Sequence, residues 1–252
     1  MRKRALITGA TSGIGKEMAK YLHQAGWALV LTGRNERVLK ELAAEFGEDT
    51  KYIALDLAKR GAAEELYRFC KGMRIDFLVN NAGFGVFGDF LDTKLEEELE
   101  LIEVNIRSLH ILMKLFLRDM VRRDSGVILN VGSIAGFATG PMLSSYYASK
   151  NYVVRMTTAI REELRRRRSN VTIGVLCPGP VNTNFNNRAG VNFSVKPADP
   201  VYVAHYAINE VMAGKCIIVP SLAVKAGIIA SSLCPEPILA RIIYHVQKRK
   251  ER

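Results

Sequence analysis

Residues 5–15 read Ala5-Leu6-Ile7-Thr8-Gly9-Ala10-Thr11-Ser12-Gly13-Ile14-Gly15. A short aliphatic run ends in a threonine and three glycines. Met18, Ala19, Leu22 and Ala25 then recur at helical spacing. The order is strand, tight turn, helix. Glycine lets the backbone turn sharply and come close to a pyrophosphate. The free N–H groups and the positive end of the following helix then hold the negative charge. This stretch predicts a cradle for a phosphate-bearing ligand, formed by Gly9, Thr11, Ser12, Gly13, Ile14 and Gly15.

Outward from this unit, β-rich runs alternate with helix-length segments. The runs fall at 5–8, 28–32, 51–55, 77–80, 127–131, 171–177 and 216–219. Aliphatic runs of this kind suit strands buried on both faces, and the alternation predicts an α/β fold with a doubly wound parallel sheet of seven strands. Leu95, Leu99, Ile102, Ile106, Leu109, Met113, Phe116 and Met120 recur at spacings of three and four. They predict one long helix with a single apolar stripe. No repeat or linker divides residues 1–252, so one domain is expected. Residues 178–200 are rich in Asn, Gly and Pro, and a long loop of this kind is often a lid or binding loop.

Composition narrows the classes. The chain has 252 residues, 48% of them hydrophobic, enough for one sizeable core. Cys70, Cys177, Cys216 and Cys234 are scattered without a C-x-x-C pair, so no metal is expected and free thiols in a reducing cytoplasm are. After Met1-Arg2-Lys3-Arg4 the apolar run is too short for a signal peptide. The apolar stretch 222–234 contains Lys225 and falls short of the ~20 residues a membrane span needs. A soluble, cytoplasmic protein is the expectation. The net charge of +11 raises nucleic acid or anionic membrane as partners. Much of it lies in Arg165-Arg166-Arg167-Arg168 and Lys248-Arg249-Lys250, near expected helix C-termini where cations suit the macrodipole. The adopted reading is a solvated surface attracting an anionic cofactor, with no nucleic-acid partner.

The T-G-x-x-x-G-x-G spacing resembles the cofactor loop of the short-chain dehydrogenase/reductase family. Asn80-Asn81-Ala82-Gly83 after the fourth strand resembles that family's second marker. The resemblance implies a Rossmann fold and a nicotinamide cofactor contacted by Asn81, Ala82 and Gly83. In dinucleotide folds an acid about 20 positions after the glycines grips the ribose 2′-hydroxyl of NAD. Here the second strand ends Leu31-Thr32-Gly33-Arg34-Asn35. No acid stands there, and the Arg34 guanidinium suits a 2′-phosphate. NADP(H) is therefore the expected cofactor. Asp56 and Leu57 resemble the family's adenine-capping position.

Tyr146 and Lys150 stand four apart at the start of a helical segment, on one face. A phenol titrates near ~10 and is a poor acid at neutral pH. A neighbouring ammonium stabilises the phenolate and is expected to lower that pKa. Carbonyl reduction needs such a proton donor. Ser133 follows the fifth strand, thirteen positions before Tyr146, and can hold the substrate oxygen where charge develops. Tyr147 has Asn151 four positions on, so the catalytic assignment goes to Tyr146. The serine–tyrosine spacing is similar to the family's. The resemblance extends to Asn105, matching the asparagine taken to anchor a water chain from the lysine. It also covers Pro178, Gly179, Val181 and Thr183, matching the segment that meets the nicotinamide. It implies reduction of a ketone with NADPH, the proton coming from Tyr146. Lys150 would hold the nicotinamide ribose, and Ser133 would polarise the carbonyl.

The end departs from ketoacyl-carrier-protein reductases, whose V-D-G-G-like tail is absent. After Pro220 the chain runs on for thirty-two residues, resembling relatives that reduce hydroxysteroids or long-chain ketoacyl thioesters. Within 221–252, Ile238, Leu239, Ile242, Ile243 and Val246 fall on one helical face, with Arg241, His245, Lys248 and Arg249 largely off it. Three readings stand open: packing on its own subunit, a dimer contact or lid, and membrane-surface contact, which is not the favoured one. The candidate lid 184–197 carries Phe185, Val191, Phe193 and Val195. With Met142 and Leu143 it suggests an apolar, roomy pocket for a bulky or long-chain carbonyl or alcohol. A non-catalytic NADP(H)-binding regulator is the alternative from another class. The family's habit implies a homodimer or homotetramer through 95–123 and 145–168.

Overall fold

The computed structural model describes residues 2–183 and 197–248. Seven parallel strands form one sheet in the order β3-β2-β1-β4-β5-β6-β7. They are β1 Arg4–Thr8, β2 Ala28–Gly33, β3 Lys51–Ala54, β4 Phe77–Asn80, β5 Val127–Val131, β6 Thr172–Leu176 and β7 Ile217–Ile218. Strand order reverses between β1 and β4, and the crevice at such a switch point is where open α/β sheets bind ligands. The expected α/β doubly wound sheet and all seven strand positions hold, with the two ends of β6 and β7 trimmed.

The central strands bury both faces, so their sequences are continuously apolar rather than alternating. On one side Ala5, Ile7, Phe77 and Val79 join Met18 and Leu22 of α1 (Gly13–Gln24), Leu39 and Leu42 of α2 (Glu36–Phe46), and Val203 and Ala207 of α7 (Pro200–Met212). On the other, Leu6 and Leu78 join Leu66 of α3 (Ala62–Phe69), Leu112 and Phe116 of α5 (Leu109–Arg122), and Val153 and Val154 of α6 (Ser144–Arg166). One polar chain crosses this second layer. Asn80 Nδ2 donates to Asn130 Oδ1 at 2.9 Å, and Asn130 Nδ2 donates to Thr157 Oγ1 at 2.9 Å. Buried amides need such partners, and here they tie β4 and β5 to α6.

The long helix expected over 95–120 corrects the sequence reading. It is α4 (Leu95–Ile102), a π-helical segment Glu103–Ser108, and α5. The π-segment carries an extra residue per turn, which rotates the following face by about 100° relative to an uninterrupted helix. Leu109, Met113, Phe116 and Met120 are buried as expected, but Leu95, Leu99 and Ile102 face outward and Leu101 takes the core position. Two C-terminal helices, α8 (Leu222–Ser232) and α9 (Glu236–Lys248), complete the described chain.

This phasing makes a prediction for urea denaturation. Leu101→Ala loses about 2–5 kcal/mol through the cavity it leaves. Leu99→Ala loses under about 1 kcal/mol, as exposed positions do. The opposite order would mean that the helix keeps one uninterrupted stripe.

Candidate active site

The ends of β1 and β4 are clasped by side chains. Asn81 N and Ala82 N both donate to Thr8 Oγ1, at 2.9 and 3.0 Å. Asn81 Nδ2 donates back to the carbonyls of Thr8 and Gly9, at 2.9 and 3.1 Å. This brings the glycine loop onto Asn81 and Ala82. Gly9 has φ +65°, where an L side chain is strained. A Cβ on Gly15 would stand 2.3 Å from Asn81 Nδ2 and 2.5 Å from the Gly9 carbonyl. The loop is thus compressed against β4 while Ser12 opens α1 in extended backbone, with no side chain capping the helix. The strand, tight turn and helix expected at residues 5–15 are present, and no side chain caps the first N–H groups of α1.

The other end of a bound dinucleotide would meet the tips of β2 and β3. Arg34 is exposed just beyond β2, and Asn35 beside it caps α2 by accepting from Val38 N at 3.2 Å. Asp56 follows β3 and accepts from Ala58 N at 3.1 Å, while the Leu57 carbonyl accepts from Ser108 Oγ at 2.8 Å. β2 ends at Gly33, followed by Arg34 and Asn35, and the first acid after it is Glu36 at the start of α2. The residues at these tips are placed to meet the adenosine end of a nicotinamide dinucleotide.

Ser133, Tyr146 and Lys150 converge at the C-terminal ends of β4 and β5, all buried. Ser133 opens a 3₁₀ turn, Ile134–Phe137, and its hydroxyl accepts from Ala135 N at 3.1 Å. A hydrogen bond joins Ser133 and Tyr146. Lys150 Nζ donates to the Val131 carbonyl at 2.8 Å and lies 5.7 Å from the centre of the Tyr146 ring. Asn105 sits in the π-segment beneath them. Its Nδ2 donates to the Phe84 carbonyl (2.9 Å) and to Ser149 Oγ (3.1 Å), and its Oδ1 accepts from Phe84 N (3.1 Å). Ser149 Oγ in turn donates to the Tyr146 carbonyl at 2.7 Å. Asn105 thus locks the Gly83–Phe84 loop to α6.

The electrostatics correct one expectation. Lys150 does not draw the phenol down. Burial pushes Tyr146 up to about 12, opposed by its hydrogen bond to Ser133. Burial also pushes Lys150 down to about 8, opposed by Cys177. Burial is the largest cause of both shifts because the hydroxyl and the amine are enclosed. Cys177 is a member that sequence reading missed. It lies buried beside Lys150 and Ser133 with its thiol pushed up to about 12 by burial.

Pro178, Gly179 and Val181 follow β6. The Pro178 carbonyl accepts from Ile134 N at 3.1 Å, and Val181 bridges Ala198. Thr183 reaches the glycine loop, its Cγ2 standing 3.0 Å from where a Cβ on Gly13 would be. These residues join the cradle to the Ser133 turn. The candidate lid at 184–197, with Phe185, Val191, Phe193 and Val195, lies outside the described residues up to Pro197. Tyr147, set aside as a decoy, has a structural place. Its hydroxyl accepts from Gln247 Nε2 at 3.0 Å, so α9 is pinned next to the site. Only Gln247's position on the inward face of α9 signals this, and a polar residue there reads from sequence as solvated.

The family model for short chain dehydrogenase matches residues 3–192. The chain is 35% identical over 195 residues to dehydrogenase/reductase SDR family member 7B of Mus musculus, covering 73% of this chain and 59% of that protein. It is 38% identical over 181 residues to a very-long-chain 3-oxoacyl-CoA reductase of Mycosarcoma maydis, covering 68% and 51%. The chain thus spans between half and three-fifths of the length of these relatives. A short-chain dehydrogenase from Sphingobium yanoikuyae solved with NADPH superposes with a TM-score of 0.83 at 27% identity, covering 92% of this chain and 93% of that one.

The lowered Lys150 pKa has a consequence for stability. The ordinary value is 10.5 and the folded value about 8. Between them the unfolded chain holds more of this proton than the folded one, so the Lys150 contribution to stability rises with pH. Below about 8 the full burial penalty is present. Lys150→Met removes the penalty, so its stability relative to the parent should be greatest below pH 8. That difference should shrink by roughly 1.4 kcal/mol per pH unit from 8 to 10. A constant difference in urea melts across that range would contradict the assignment.

Proposed function

The chain belongs to the short-chain dehydrogenase/reductase family, an oxidoreductase family that uses nicotinamide cofactors, and on that premise we propose that it reduces a ketone to a secondary alcohol with NADPH, or runs the reverse. The observation that carries this reading is the convergence of Ser133, Tyr146 and Lys150, buried together beside the glycine cradle. Bound NADPH supplies the hydride. Tyr146 donates the proton to the substrate oxygen, and Ser133 shares a hydrogen bond to that oxygen as charge gathers on it. Lys150, its Nζ 5.7 Å from the centre of the Tyr146 ring, would hold the nicotinamide ribose beside the phenol. Asn105 is a positioning residue, holding the Gly83–Phe84 loop and α6 in register.

NADPH is favoured over NADH because the exposed Arg34 follows β2 where an NAD enzyme would place an acid. The solved relative with NADPH is consistent with this. Gly9, Thr11, Ser12, Gly13, Ile14 and Gly15 would cradle the pyrophosphate. Asp56 and Leu57 would flank the adenine, and Asn81, Ala82, Gly83, Pro178, Gly179, Val181 and Thr183 would surround the nicotinamide end. A bulky or long-chain substrate is supported by the apolar cluster of Phe84, Leu143 and Tyr146 with Val86 and Phe87 beside it. It is also supported by the name of the fungal relative. The outward stripe Leu95, Leu99 and Ile102 supports self-association through α4. We read the chain as one catalytic domain with a helical tail.

The test is NADPH and NADH oxidation across a panel of ketones. Tyr146→Phe is expected to lower turnover about 10²–10⁴-fold while NADPH binding is kept. Arg34→Leu is expected to raise the NADPH Michaelis constant roughly ten- to hundredfold and leave NADH unaffected. NADPH binding with no turnover on any ketone, bulky apolar ones included, would favour a regulatory protein instead.

A further inference from the structure

Helix α8 contains no buried residue. Leu222, Ile229 and Leu233 are 85%, 60% and 83% exposed and fall, with Ala226, on one face by their spacing of four, three and four. The opposite face, through Val224 and Ile228, is the one turned inward. After Pro235 the pattern repeats on α9. Ile238, Ile242 and Val246 are each about half exposed and lie four apart, while Leu239 and Ile243 are half-buried and Gln247 is buried. The five apolar residues expected on one helical face are thus divided, Leu239 and Ile243 partly covered and Ile238, Ile242 and Val246 turned outward. Gln247, which donates to Tyr147, lies on the inward side of the helix, and three of the five look outward. A monomer seldom leaves two adjacent apolar stripes in water.

Charge decides what covers them. Lys225 lies on the outward face of α8 between Leu222 and Ile229, Arg241 borders Ile238 and Ile242, and Lys248 ends α9. Among the described residues none of the three has a carboxylate within ion-pair distance. The sequence from 221 onward holds six Lys and Arg against two Glu. In a two-fold contact between copies this net-positive patch would meet itself. An anionic lipid surface takes the same arrangement without conflict. Apolar side chains enter the headgroup boundary while Lys and Arg stems lie along it with their charges at the phosphates. No helix of the described residues is long and apolar enough to cross a membrane, so the contact is along the surface.

We infer that α8 and α9 form a docking face for an anionic bilayer. The same two helices border the site. Val224 approaches Gly179, Glu236 accepts from Thr139 Oγ1 at 2.6 Å, and Gln247 donates to Tyr147. If the reductase reading above is right, docking sets the substrate side of that site against lipid, the source of long apolar chains. The docking itself does not depend on that reading.

The test is co-sedimentation of the full chain with phosphatidylcholine vesicles, with and without phosphatidylserine. The chain should partition onto the phosphatidylserine vesicles. Salt raised from about 0.1 M to about 0.5 M should weaken this severalfold. Ile229→Ser with Leu233→Ser and Ile242→Ser should lower partitioning at least about tenfold, with thermal unfolding and NADPH binding unchanged. Lys225→Gln with Arg241→Gln and Lys248→Gln, which leaves the apolar stripes intact, should lower it on phosphatidylserine vesicles alone. The inference is overturned by absence of binding to either vesicle or by partitioning that neither set alters. It is also overturned by a concentration-dependent dimer in lipid-free sedimentation that the serine set dissolves, which would assign the stripes to a second copy.

Discussion

Thr8 accepts from two backbone amides of the Asn81–Ala82 step, and the Asn81 side chain returns two hydrogen bonds to the Thr8–Gly9 step. These bonds lie where the sheet changes direction, so the carboxyl ends of β1 and β4 are held at one separation. The cradle on one side and the Ser133–Tyr146–Lys150 group on the other are both built outward from that join. Glycine at 15 is required by the same closeness, since a methyl there would meet Asn81 and the Gly9 carbonyl.

Enclosure gives the reacting group its character. Tyr146 and Lys150 are both pushed toward their neutral forms by burial. A neutral phenol with a raised pKa keeps its proton until a stronger acceptor forms beside it. In the reaction we propose, the Ser133 hydrogen bond acts as negative charge develops on the substrate oxygen. Asn105 provides the rigidity this needs. A π-turn is a strained way to run a helix, and here it delivers an amide whose contacts bind a loop to the helix carrying Tyr146.

Much of this is legible in the chain because local chemistry and global fold agree. Aliphatic runs mark the strands, the glycines after Thr8 mark the cradle, and the Tyr146–Lys150 spacing marks one helix face. The misreadings arise where a tertiary contact overrides periodicity. Leu95, Leu99 and Ile102 have the spacing of a core stripe, but the π-segment required by Asn105 turns them outward. The spacing of Ile238, Ile242 and Val246 leaves open what covers them, and the buried residue of α9 is the polar Gln247, which donates to Tyr147. Cys177 carries no motif, so only the fold reveals it beside Lys150. The Tyr146 shift was read from charge alone, whereas its sign follows from enclosure, which a sequence does not display.

Hydrogen exchange with and without NADPH, followed by mass spectrometry, shows whether a dinucleotide is held at the β1–β4 crevice by the glycine loop clasped to Asn81. Exchange should slow in peptides covering residues 9–16, 80–84 and 178–183, with the cores of α5 and α7 unchanged. Binding of NADPH that slows exchange elsewhere and leaves residues 9–16 and 80–84 unaffected would contradict it.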